Sequence, residues 1–273
     1  MGTILYPRGY QTTWADETPV CPPHIFSLIN AHTIYTRLTK DGFDLVYHDD
    51  SLLMVNKPAG LLAVPGRGAG KQDCLSARIQ KEFPDALIVH RLDMATSGLL
   101  VFARGVEMQR NLSQMFRERA VQKRYVAVVA GKMEPESTQS TPSPALPKRE
   151  RGRSLLLLPG EGWEGGWGEI NLPLVADWPN RPLQKVDYEA GKPSLTRYRV
   201  SDYDDDTTRL ELEPVTGRTH QLRVHLAAIG HPIIGDALYG GRAAERLLLH
   251  AQSLSFIHPL SGSPLSFTCE SPF

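Results

Sequence analysis

The sequence predicts an α+β fold in which strands outnumber helices, and three observations carry that reading. Two pairs of strand-like runs are each joined by a turn of acidic or small residues, one pair before residue 60 and one after residue 190. Two further apolar runs, Leu99–Ala103 and Arg124–Ala130, have the length and composition of buried strands. Helical periodicity shows in only three places, around residues 73–83, 108–116 and 222–229.

In chain order, residues 1–40 carry Pro7, Pro19, Pro22 and Pro23 and no sustained period, and are expected to be an N-terminal extension rather than a domain. Two apolar runs between Leu45 and Lys57 flank Asp49-Asp50-Ser51, which predicts a hairpin, and Pro58 then stops the second strand. Gly66 to Lys71 lacks the spacing of a phosphate-binding loop and reads as a flexible turn, followed by a helix with Leu75 and Ile79 on one face. The run from His90 to Ser97 is rich in turn formers and predicts an ordered loop opening into the Leu99 strand. Met108, Leu112, Met115 and Phe116 then recur at helical spacing, with basic residues mainly off their stripe.

Prolines and glycines dominate residues 134–168, so a probe of folding there expects a flexible insertion into the domain spanning 41–273. Order resumes with Asn171-Leu172-Pro173-Leu174. Leu195–Val200 and Thr208–Val215 read as paired strands across a solvated Asp204-Asp205-Asp206 tip. A helix with Leu222, Leu226 and Ile229 on its buried face is expected to stop at Gly230, and Leu254 and Phe256 alternate as in a strand.

Composition narrows the functional classes. Thirty basic residues balance thirty acidic ones, but between Arg104 and Arg124 six basic side chains face only Glu107 and Glu118. Such a segment is either a phosphate-facing patch or a solvated helix face. The three cysteines, Cys21, Cys74 and Cys269, are too far apart for a disulfide framework or a thiolate zinc site, and His220, His225 and His231 lack zincin spacing, so no metal is expected. No apolar run approaches membrane-spanning length and no signal-like start is present; the expectation is a cytoplasmic protein with no membrane partner.

Chemistry concentrates at His90-Arg91-Leu92-Asp93-Met94-Ala95-Thr96-Ser97-Gly98-Leu99-Leu100. On residue types alone, Asp93 is either a loop-capping carboxylate or a reactive one. The string H-R-L-D-x-x-T-S-G-L-L resembles the catalytic motif of the RluA family of RNA pseudouridine synthases. Three further strings resemble segments of that family: N-K-P-x-G-L-L-x-V-P from Asn56, K-x-Y-x-A-x-V from Lys123, and G-R-T-H-Q-L-R-x-H from Gly217. Asp177 to Val186 resembles one branch of it, the dual-specificity enzymes, and the H-P-I-I-G-D-x-L-Y stretch from His231 also fits.

The resemblance implies a pseudouridine synthase fold with a mixed, mainly antiparallel central sheet flanked by helices and loops. It implies Asp93 as nucleophile, Tyr125 as the ring that stacks on the target base and helps to remove a proton, and Arg223 as the ion-pair partner of Asp93. Arg91 would enter the RNA in place of a flipped uridine, Leu222 would contact the base with Tyr125, and His90 and Thr96 would share in binding the RNA; Lys57 reads as structural. The implied partners are a tRNA anticodon stem-loop and a 23S rRNA stem-loop, acted on by a monomer without a cofactor. Isomerising uridine moves the C1′ bond from N1 to C5 with no net redox change, so a carboxylate suffices, either attacking C1′ or taking a C2′ proton to give a glycal. An RNA-binding module that no longer catalyses and a nucleoside hydrolase using Asp93 are the rival classes.

Overall fold

The structure, a computed structural model, describes residues 43–133 and 166–273; the expectations for residues 1–40 and for most of the 134–168 segment lie outside them. Twelve strands and three helices follow one another as β1 (Asp44–His48), β2 (Leu52–Lys57), α1 (Leu75–Glu82), β3 (Ala86–Ile88), β4 (Ser97–Arg104), α2 (Val106–Arg117), β5 (Gln122–Ala130), β6 (Gly168–Asn171), β7 (Leu174–Ala176), β8 (Gln184–Val186), β9 (Leu195–Tyr203), β10 (Thr207–Pro214), α3 (Gln221–Ala228), β11 (Leu249–Ile257) and β12 (Pro264–Thr268). Ten of the strands form one sheet in the order β1-β2-β4-β11-β5-β10-β9-β6, with β3 on β4 and β12 on β11. All of its pairings are antiparallel except β4 with β11. This is the mixed, mainly antiparallel sheet that the sequence implies.

The central strands explain their own composition. Leu99, Val101 and Ala103 of β4 face a cluster that includes Met108 and Leu112 of α2 with Phe256 and Phe267. Leu100 and Phe102 face the other side, against Leu75 and Ile79 of α1. A strand covered on both faces must be apolar at every position, which is why this run is continuous rather than alternating. In contrast, β10 alternates buried Thr208, Leu210 and Leu212 with polar Arg209, Glu211 and Glu213, and its buried face meets Leu222 and Leu226 of α3.

Two boundaries differ from the sequence reading. Gly168, counted with the insertion on composition, opens β6, where an added Cβ would lie 2.4 Å from the Tyr198 ring. Ile229 leaves the helical face it was expected to share with Leu222 and Leu226: α3 ends at Ala228, Ile229 is 37% exposed, and Gly230 takes the left-handed stop at φ 88°. The turn from Gly66 to Lys71, expected to be flexible, is closed by the Gly66 amide donating to the Lys71 carbonyl and by the Gln72 side chain donating to the Gly66 and Gly68 carbonyls.

Where β4 and β11 meet, the register sets Gly98 against Ala251, Ala251 against Tyr125 of β5, and Tyr125 against Leu212 of β10. Gly98 has φ 113°, and a Cβ there would sit 2.3 Å from the Ala251 carbonyl oxygen. No side chain fits, so this glycine permits the only parallel seam of the sheet, five residues after Asp93.

Gly98→Ala is therefore expected to lower the unfolding free energy by at least about 2 kcal/mol, read from urea denaturation; a near-neutral result would contradict the close approach. Two packed histidine rings, His250 buried and His90 partly so, predict a pH dependence. Burial, and then the charge of Lys123, pushes His90 down to about 3. Burial pushes His250 down to about 4, with the Cys269 carbonyl opposing and Arg246 and Arg209 adding. Unfolded imidazoles keep an ordinary value near 6.5, so below it the unfolded chain binds more protons than the folded one. Stability is retained above that value and falls as the pH is lowered towards 4, by at most about 1.4 kcal/mol per pH unit for each ring. A urea midpoint that stays flat across this window would overturn the assignment.

Candidate active site

The loop that carries Asp93 is fixed at several points before any function is considered. Met94 accepts from the Gly60 amide at 2.8 Å and the Thr96 amide donates to the Asp93 carbonyl at 3.1 Å. His90 stacks on Phe116 of α2 at 4.4 Å, and its Nε2 accepts the Val101 amide at 3.2 Å. Thr96 is only 2% exposed and Arg91 stands at the surface.

Below the loop lies Lys57, the last residue of β2 and 0% exposed. Its Nζ donates to the carbonyls of Pro58, Leu61 and Met94 at 2.7, 2.8 and 3.1 Å. Three acceptors match the three donors of an ammonium group. Burial still pushes its pKa down to about 8, against the opposing charge of Asp93 and with that of Arg246. Lys57 thus has the structural role the sequence suggested, and it ties the N-K-P segment directly to the residue after Asp93.

Across the cleft, the Thr216 to Arg223 segment is shaped by its own side chains. Gln221 Oε1 accepts from the Thr216 hydroxyl at 2.7 Å and the Arg218 amide at 3.0 Å, while Nε2 donates to the Leu195 carbonyl and to Thr196 Oγ1, each at 3.0 Å. This clamp starts α3 and turns Arg223 inward, where it is 4% exposed. Its Nε and Nη2 donate to the two oxygens of Asp236 at 2.7 and 2.6 Å, and Nη1 reaches Asp93 Oδ2 at 3.4 Å. Burial opposes the guanidinium charge, but Asp236 and then Asp93 outweigh it and raise the Arg223 pKa further. Asp236 Oδ1 also accepts the Leu238 and Tyr239 amides.

The other oxygen of Asp93, Oδ1, lies 3.9 Å from His220 Nε2. His220 itself has φ 53°, a left-handed conformation that costs a non-glycine residue about 1–2 kcal/mol, and its Nδ1 lies 2.7 Å from the Tyr239 hydroxyl. Tyr125 projects from β5 between two core clusters; burial, and then the charge of Asp93, raises its phenol well above the usual range.

These groups line a cleft of about 670 Å³ that brings together all seven residues picked out in the sequence: Asp93, Tyr125, Arg223, Arg91, His90, Leu222 and Thr96. Arg91, Arg117, Arg119, Lys123 and Arg218 also line it, and Asp93 is its single carboxylate among the described residues. The basic stretch after Arg104 therefore divides: Arg117, Arg119 and Lys123 face the cleft, whereas Arg104 pairs with Asp85 at 3.0 Å. Sequence reading overlooked Asp236, Tyr239 and His220 as site residues. The available signal was physical: a buried arginine requires a second carboxylate if the first is to remain free to react.

The distances separate the two acids. Asp236→Ala should cost about 3–5 kcal/mol of stability by leaving a buried guanidinium unpaired, whereas Asp93→Asn should cost less than about 1 kcal/mol. Urea denaturation of both variants checks this, and equal losses would refute the division.

Comparison with known proteins bears on this arrangement. The model of the RNA pseudouridylate synthase family matches residues 51–228. A dual-specificity RNA pseudouridine synthase RluA of Yersinia pestis is 44% identical over 234 residues, which cover 84% of this chain and 99% of that protein. The enzyme of the same name from Escherichia coli (strain K12) is 45% identical over 234 residues, covering 84% and 93%. The solved structure of human RNA Pseudouridylate Synthase Domain Containing 1 superposes with a TM-score of 0.62 at 24% identity over 87% of each chain, a likeness of fold. Among the described residues no helix is long and apolar enough to cross a membrane. With the family's segments matched across both halves of the sheet and its relatives spanned almost end to end, the chain belongs to the RNA pseudouridylate synthase family, on its RluA branch.

Proposed function

We propose that this chain isomerises uridine to pseudouridine in folded RNA loops with Asp93 as nucleophile, and that its substrates are a tRNA anticodon stem-loop and a 23S rRNA stem-loop. The observation that carries the reading is the single carboxylate in a cation-lined cleft, with one oxygen beside a guanidinium already neutralised by Asp236. Glycoside hydrolysis commonly uses a second carboxylate about 5–9.5 Å away, to activate water or to protonate the leaving group. Among the described lining residues there is none, which favours isomerisation over the hydrolase reading. The intact set of Asp93, Tyr125 and Arg223 speaks against a silent binding module.

A uridine inside a stacked loop must be extruded at a cost of about a few kcal/mol before C1′ reaches Asp93. Arg91, exposed at the cleft rim, fills the vacated place, and Arg117, Arg119, Lys123 and Arg218 hold the phosphates. His90 supports the loop through its stack on Phe116, with apolar Leu222 and polar Thr96 both buried at the cleft. Tyr125 keeps its proton while Asp93 is charged, which suits a stacking ring. Bonding of Asp93 to C1′ removes the lesser of the two causes that raise the phenol, the charge, and leaves the larger, burial, in place. The chain's RNA substrates suit a cytoplasmic enzyme that acts as a monomer.

The test is to map pseudouridine in tRNA and ribosomal RNA from cells with and without the gene. Loss at one anticodon-loop site and one 23S site supports dual specificity, loss at one alone narrows it, and no loss refutes the reading. In single-turnover assays on the affected stem-loop, Asp93→Ala should lower the rate at least about 10⁴-fold and Arg223→Ala should cripple it with RNA affinity retained. Near-wild-type turnover by either variant would contradict its role.

A further inference from the structure

One buried titratable side chain at the cleft has no part in the reaction described so far. His220 lines the cleft, its side chain is 10% exposed, and its Nε2 is 3.9 Å from Asp93 Oδ1, too far for a hydrogen bond between them. Its tautomer follows from its neighbours. The Tyr239 hydroxyl accepts the Gln184 amide at 2.9 Å and lies 2.7 Å from His220 Nδ1; an Nδ1 that accepts the hydroxyl proton leaves the ring proton on Nε2, the nitrogen facing the Asp93 carboxylate, and this is the tautomer we assign. The left-handed backbone at His220 and the edge-on contact with Tyr239 at 5.7 Å hold the ring in this orientation. Burial keeps the imidazole below its ordinary pKa; Asp93 and Asp236 oppose this, while Arg223 and Arg91 add to it.

From this geometry we infer that His220 is a further catalytic residue, whose neutral Nε2–H donates a hydrogen bond to the uracil as it leaves C1′. The inference rests on the proposed function. When the C1′–N1 bond breaks, its electron pair departs with the base and places negative charge on the N1 and O2 side, while Asp93 bonds to C1′ or takes the C2′ proton. An N–H fixed in a partly dry cleft beside the nucleophile stabilises that charge without transferring its proton. The electron pair then returns through C5, which bonds to C1′ as the Asp93 carboxylate leaves it, or as the C2′ proton is given back; C5 passes its proton to a base and N1 takes one up as the ring regains conjugation.

The test compares leaving groups. A 5-fluorouracil anion is the more stable one, so it relies less on the donor. His220→Asn, a residue that tolerates the left-handed backbone, should lower the single-turnover rate on a uridine stem-loop about 10²-fold, with RNA affinity within about twofold. On the same stem-loop with 5-fluorouridine, where C5 carries fluorine and cannot lose a proton, the rate read is that of N1–C1′ cleavage, and its loss should shrink to about tenfold. Tyr239→Phe should show the same inequality with smaller losses, and His220→Gln, which returns an N–H near Nε2, should recover part of the rate. Equal losses on both RNAs would mean that the ring only positions Asp93, and no loss would leave it without a role; either overturns the inference. A wild-type enzyme that modifies neither RNA would instead overturn the proposed function, and this inference with it.

Discussion

The rest of the site depends on how one buried guanidinium is shared between two carboxylates. Placing Arg223 at 4% exposure costs several kcal/mol unless its charge is met at short range, and Asp236 meets it with two bonds of 2.6 and 2.7 Å. Because Asp236 is itself wholly buried and accepts two backbone amides, that pair cannot easily rearrange. Asp93 therefore meets a cation that is already neutralised, at a longer 3.4 Å. It is oriented without being locked into a bidentate pair. That suits the role proposed for Asp93, since a carboxylate held as tightly as Asp236 would have to break two strong bonds before it could attack.

The sheet brings this arrangement to Asp93 from several places in the chain. Gly98, Ala251, Tyr125 and Leu212 lie in one row across four strands, so the start of β4 and the middle of β5 occupy the same level of the sheet. Lys57 sets the height of the loop from below by gripping the Met94 carbonyl, and α3 delivers Arg223 from the opposite wall. Each constraint comes from a separate segment, and a shift in any one changes the reach of Asp93. Rigid elements on both sides of a short loop are what place a reacting group to within a fraction of an ångström.

Much of this was legible in the sequence, and the boundary between what was and was not is physical. Hairpins, amphipathic helices and the doubly buried β4 run are local patterns, and they occur where periodicity put them. The parallel seam of β4 with β11 was not legible, because it pairs His250 with Ser97 and Ala251 with Gly98 across some 150 residues with no local signature beyond a glycine. Motif resemblance singled out Asp93 and Arg223, yet gave no hint that Asp236, thirteen residues beyond Arg223, neutralises the arginine. His90 was read as an RNA contact, and its ring nitrogen is used within the protein by the Val101 amide. Motifs record which residues a site requires, whereas the partner that makes each one usable is set by the tertiary fold.

The same lesson applies to the Asp177 to Val186 stretch, the string that singled out one branch of the family. It forms the turn and second strand of the β7–β8 hairpin, off the main sheet, and carries Trp178, 65% exposed, with the Arg181 guanidinium 3.2 Å from its ring centre. It reaches towards the cleft by a hydrogen bond from the Gln184 amide to the Tyr239 hydroxyl, and that hydroxyl also meets His220. Tyr239 in turn packs its ring 5.2 Å from the Arg223 guanidinium. A displacement of the hairpin would therefore be felt first at the two side chains that flank Asp93. The stretch that resembles one branch of the family is thus joined through Tyr239 to the two side chains beside Asp93.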